Sequence, residues 1–176
     1  MNNVFMNGGA DCGNGVLFYN SMFYPFCKQR NMESIRAHYH SFLFDGRWRR
    51  LLFVANHSDT HWVAVCIDIS RKKVWIDCPL GGSPTAPSLK HVEESIRWFL
   101  GNHVRQQSPV VHNVEAFNKV QGLLTSLEEW EFVHEQPELM QVDSFNCGPF
   151  AAMYALYRAN DQVRCKISSW WVLTKY

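Results

Sequence analysis

The sequence predicts an α+β fold: a central mixed or antiparallel sheet of about four or five strands, flanked by helices. Three observations carry that expectation. Between Arg50 and Cys78 lie three apolar runs divided by short polar turns. Helical periodicity dominates on either side of them. Near the far end, Cys147-Gly148-Pro149 stands where a loop should turn into a helix, with proline well placed in the first turn.

The elements follow in order. Residues 1–15 are rich in Asn and Gly and are expected to be irregular. Val16 to Cys27 is almost wholly apolar and aromatic and reads as one buried helix. Met32 to Leu43 reads as a second, with Ile35, Tyr39 and Phe42 on one face and Gly46 breaking it. Arg50–Asn56, His61–Ile69 and Lys73–Cys78 are the strands, and the first two are apolar enough to be covered on both faces. Asn56-His57-Ser58-Asp59 and Ser70-Arg71-Lys72-Lys73 are turns, the second closing a hairpin. In that hairpin His61 is expected within a residue or two of facing Asp77. Ser88 would cap a helix to Leu100, carrying Leu89, Val92, Ile96 and Phe99 inward, with Gly101-Asn102 as its stop. A further helix is expected from about Val114 to Glu128, then strands at Trp130–Val133 and near Leu139–Gln141, then a helix from Cys147 to about Arg158.

At 176 residues the chain is expected to be one domain, residues 1–176, with no repeat or linker. Hydrophobic residues make up 47% and aromatic residues 14%, which is the composition of a packed core rather than of a disordered chain. The formal net charge is +1 with scattered Lys and Arg, so no nucleic-acid partner is indicated. Arg47-Trp48-Arg49-Arg50 reads as the solvated start of a strand. No apolar run reaches the ~18 residues of a membrane span, and no secretory leader is expected. The six cysteines lack the dense spacing of a secreted scaffold, which fits a reducing, intracellular setting, cytoplasm or nucleus.

The chemistry lies in four residues. Cys147 opens a helix, where unpaired amides and the helix dipole favour a thiolate and can donate to an oxyanion. The alternative is a buried structural cysteine. Gly148 would let a substrate backbone approach closely. Gln141, six residues earlier, could complete an oxyanion hole with the Cys147 amide. His61 would act as general base and Asp77 would hold its tautomer. His57 and His61 are four apart on strand and turn, a poor zinc pair, and no metal or organic cofactor is expected.

Taken together, Asn56-x4-His61-Trp62, then Asp77, then Gln141-x5-Cys147-Gly148 resembles the ubiquitin-like-protein-specific cysteine proteases. Those are the SUMO and NEDD8 deconjugating enzymes, related to the adenovirus-type processing protease. The resemblance runs from about residue 17 to 160. It implies a cysteine-protease fold, a triad of His61, Asp77 and Cys147, and Gln141 as the oxyanion residue. It also implies Trp62 as a wall of a narrow tunnel for a Gly-Gly tail. The substrate would be a ubiquitin-like modifier, its conjugate or a polyprotein. Asn146 departs from the aspartate usual before the family's nucleophile, and Asp143-Ser144 is closer to the viral type.

Three other readings stay open. One is an acyltransferase built on the same constellation. Another is a papain-like peptidase using Cys12 in Asp11-Cys12-Gly13, although no glutamine shortly precedes it. The last is a catalytically silent module that binds a ubiquitin-like protein.

Overall fold

The computed structural model describes residues 9–11, 15–43, 49–57, 61–80, 87–105, 127–134 and 146–160. Six strands form one mixed sheet whose spatial order is the chain order. They are β1 (Gly9–Asp11), β2 (Val16–Tyr19), β3 (Arg50–Asn56), β4 (Trp62–Asp68), β5 (Lys73–Asp77) and β6 (Glu131–Val133). β3, β4 and β5 are antiparallel neighbours, whereas β2 pairs parallel to β3 and β6 parallel to β5. A parallel pair needs a crossover. The first crossover carries α1 (Phe23–Lys28) and α2 (Met32–Leu43), and the second carries α3 (Pro87–Arg105).

The helices divide between the two faces of the sheet. α1, α2 and α3 pack on one, around Leu51, Phe53, Val63, Val65, Ile67, Val74 and Ile76. There Phe23 meets Phe53, Tyr39 and Phe99 edge to face, with ring centroids 5.0–5.1 Å apart. One aromatic ring thus ties α1 to β3, α2 and α3. The last helix, α4 (Cys147–Ala159), covers the other face through Phe150, Ala151, Tyr154 and Ala155, against Leu52, Ala64, Cys66 and Trp75. The continuous apolar runs of β3 and β4 follow from this sandwich, since both faces are dry.

Several expectations need correction. Among the described residues the mixed sheet has six strands where about four or five were expected, because β1 lies in the segment expected to be irregular and β2 in the segment expected to be helix. The chain breaks at Asn20, whose Oδ1 accepts the Met22 amide (3.0 Å) and the Tyr39 hydroxyl (2.7 Å), so Val16–Tyr19 is released to pair with β3. α3 runs past Gly101, which is no stop. A Cβ there would lie 3.1 Å from Leu127 Cδ1, so the glycine serves the close approach of the 3-10 turn Leu127–Glu129. Arg50 is not solvated but 2% exposed, paired with Asp68. Phe42, Gly46, the short strand near Leu139–Gln141 and residues 114–126 of the helix expected from about Val114 to Glu128 lie outside what is described, save that the backbone of Phe42 belongs to α2 and that Leu127 and Glu128 belong to the 3-10 turn.

Candidate active site

The site is assembled where β4 begins, where β5 ends and where α4 starts. α4 opens on Cys147, which is 5% exposed, and the amide of Phe150 already closes on the Asn146 carbonyl (3.1 Å). Asn146 is exposed at the N-cap position, and its side chain does not cap the helix. Burial pushes the thiols of Cys27 and Cys66 upward, that of Cys66 to about 12, so these two stay protonated and inert.

Trp62 begins β4 on the α4 side of the sheet. A Cβ added to Gly148 would sit 3.7 Å from the indole Cδ1, so the residue after the cysteine rests on the residue after the histidine. The structure therefore brings Trp62 and Gly148 together, with His61 and Cys147 as their immediate chain neighbours.

His61 and Asp77 are not joined. Across the hairpin Asp77 faces Ala64, an offset of three residues from His61 rather than one or two. The reason is the tight four-residue turn between the paired Asp68 and Lys73, closed by Lys72 N–H to the Ile69 carbonyl (3.2 Å) with Lys72 at φ 51. The Asp77 carboxylate points to the α4 side and is taken by Arg158, Nε to Oδ2 at 2.8 Å and a terminal nitrogen to Oδ1 at 2.7 Å. Both partners are buried, at 4% and 7% exposure. Arg158 lies in the last turn of α4, eleven residues or about 16 Å of helix beyond Cys147.

His61 instead places Nε2 at 3.2 Å from Sγ of Cys78, whose side chain belongs to the α1–α3 side of the sheet. Its Nδ1 is buried with no hydrogen-bond partner. The His57 ring stands edge to face on it, with centroids 5.0 Å apart. Burial lowers the pKa of His61, so its neutral, proton-accepting form dominates near pH 7.

A second feature escaped the sequence. Arg50 donates through Nε to Asp68 (2.8 Å) and through a terminal nitrogen to the Arg158 carbonyl (3.0 Å). Burial alone would raise the Asp68 carboxyl, but hydrogen bonds from Ser70 and Arg50 outweigh it and hold it below the ordinary range. The guanidinium of Arg50 thus satisfies a C-terminal carbonyl of α4, and the Asp77–Arg158 pair grips the same end. Gln141 and Cys12 lie outside the described residues. Among the described residues, no group of three His, Cys, Asp or Glu could hold a metal ion, and no helix is long and apolar enough to cross a membrane.

Comparison with known proteins fits this architecture. No curated protein matches the chain at a significant level. Among solved structures, the SUMO protease Ulp1 with its catalytic cysteine oxidised to a sulfonic acid superposes with a TM-score of 0.67 at 16% identity, over 88% of this chain and 63% of that one. The C-terminal Ulp1 protease domain in complex with Smt3, the yeast ortholog of SUMO, gives 0.65 at 17% identity, over 84% of this chain and 58% of that one. The chain thus spans less than two thirds of the length of these structures. At such identity they establish the fold. The Ulp1 protease family, C-terminal catalytic domain, matches residues 14–168, nearly the whole chain, and the protein belongs to that family of cysteine proteases.

Proposed function

We propose that this chain is a single catalytic domain that cleaves after the C-terminal glycine of a ubiquitin-like modifier, or at a similar site in a polyprotein. Cys147 attacks the carbonyl carbon. His61 takes the thiol proton, gives it to the leaving amine and then activates the water that releases the acyl group. The Cys147 amide and Gln141 receive the oxyanion. Asp77 belongs to the same set. It ends β5 one residue before the sulfur that His61 touches, and its carboxylate is held by Arg158.

One observation carries the proposal: the packing of Gly148 against Trp62, which sets the histidine-bearing strand beside the cysteine-bearing helix. Trp62 is also the side chain that would narrow the channel to glycine-sized residues. The two solved structures described above are a SUMO protease and a protease domain bound to Smt3, which supports a modifier of this class as substrate. A nucleophilic thiol is kept competent by a reducing compartment, so the place of action is the cytoplasm or nucleus.

The test is covalent trapping. Wild type, Cys147→Ala and Cys12→Ala are incubated with SUMO, NEDD8 and ubiquitin bearing C-terminal vinyl-sulfone or propargyl groups. A mass-shifted adduct lost only in Cys147→Ala is expected, and cleavage by that variant should fall by about 10⁶-fold, the scale of losing a triad nucleophile. Loss only in Cys12→Ala would move the nucleophile to the N-terminal segment. Absence of any adduct, with Cys147 unreactive to iodoacetamide at neutral pH, would leave a binding module.

A further inference from the structure

We propose that Cys78 is a positioning residue for His61. Its sulfur accepts the Nε2–H and so leaves Nδ1 as the nitrogen that takes the proton of the nucleophile. The inference rests on the reading of His61 as the base.

Three observations lead to it. The Nε2–Sγ separation of 3.2 Å lies within hydrogen-bond range for sulfur. The Asp77 carboxylate, the expected orienter, is held by both of its oxygens in the buried pair with Arg158. The second ring nitrogen, Nδ1, is buried and has no partner. A neutral imidazole carries one N–H and one lone pair, and the group bound at one nitrogen decides which is which. An acceptor at Nε2 places the hydrogen there and the lone pair on Nδ1. Cys78 can hold the ring in this way because it is 5% exposed, packed among the residues beneath α1–α3, and follows directly on β5. Its backbone is therefore as well fixed as the sheet.

The end of β5 sends consecutive side chains to opposite faces. Asp77 goes to Arg158 and steadies the nucleophile helix, and Cys78 goes to His61 and steadies the base.

The experiment compares wild type with Cys78→Ala and Cys78→Ser. Imidazole N–H signals are read by nitrogen-edited NMR, that of His61 being identified by its loss in His61→Gln. In wild type a solvent-protected N–H on Nε2 is expected. It should be lost or exchange-broadened in Cys78→Ala and retained in Cys78→Ser, which keeps an acceptor. In parallel, the rate of Cys147 modification and the kcat of cleavage should fall about 10-fold or more in Cys78→Ala, as when an orienting partner of a working histidine is removed, with KM little changed. Cys78→Ser should recover part of the loss. An unchanged Nε2–H in Cys78→Ala, or a wild-type proton on Nδ1, overturns the proposal. Should the alanine variant fail to fold, the serine variant decides, because a proton on Nδ1 there overturns it equally. The NMR readout needs no turnover, so the assignment of Cys78 can fail while the protease reading stands, and the reverse.

Discussion

The rings of His57 and His61 stand edge to face, and their titration contributes to how the protein responds to acid. Burial, and then the charges of His61 and Lys28, lower the pKa of His57 from 6.5 to about 4. Burial alone lowers that of His61. A base with a depressed folded pKa takes up its proton more readily in the unfolded chain, so stability is full above 6.5 and drains as pH falls toward 4. Urea unfolding at pH 7.5, 6.0, 5.0 and 4.5 should show the midpoint falling across that window, with part of the fall removed in His57→Leu. Both ring nitrogens of His57 are buried without partners, so this substitution relieves a desolvation cost. At pH 7.5 it is expected to leave stability unchanged or to raise it by about 1 kcal/mol. A clear loss of stability at pH 7.5 would show that the ring packs more than it costs. The same depression belongs in the kinetics. The acid limb of kcat/KM that reports His61 should lie below 6.5, and an acid limb above it would mean that the working histidine sits in an ion pair.

At the scale of the element, α4 is held at both ends by different means. Its start is packed on Trp62, and its end is clamped by Arg158 on Asp77 and by Arg50 beneath the last carbonyls. Removing one member of a buried pair strands the other, which costs about 3–5 kcal/mol, whereas removing both together costs far less. Arg158→Met should therefore lower the urea midpoint sharply, and Arg158→Met with Asp77→Asn should recover much of it. Equal midpoints for the single and double variants would mean that the pair is not coupled. None of this clamp was legible in the sequence, because Asp77 and Arg158 are 81 residues apart and no local pattern announces their meeting. The strands of the central hairpins were legible, since β-branched and apolar runs bounded by polar turns have few other uses. Val16–Tyr19 was not, because a short aromatic run has the same composition in a buried strand and in a helix, and only the parallel partner β3 decides. The cysteine-bearing helix was legible from Cys147-Gly148-Pro149. The orientation of His61 was not, since it depends on a hairpin register that one left-handed turn residue, Lys72, shifts away from the expected offset.

Among the described residues the sheet lies between two unequal helical layers, and the candidate site straddles it. Cys147, the proposed nucleophile, rides on α4 on one face, while Cys78, which touches the proposed base His61, belongs to the cluster on the other. Leu51 and Leu52 are neighbours on β3, both fully buried, and they point into these opposite layers. Truncating either to alanine deletes the same atoms and should cost about 2–5 kcal/mol in global stability. Their local consequences should differ. Leu52→Ala removes support from beneath α4, so native-state hydrogen exchange of α4 amides should quicken, and alkylation of Cys147 should change with it. Leu51→Ala loosens the packing under α1–α3 instead, so exchange should quicken there while α4 keeps its protection. The comparison separates a site carried by one layer from a site carried by the sheet. If both substitutions loosen α4 equally, the two layers open as one cooperative unit, and the position of the nucleophile depends on the whole core rather than on the face it rests on.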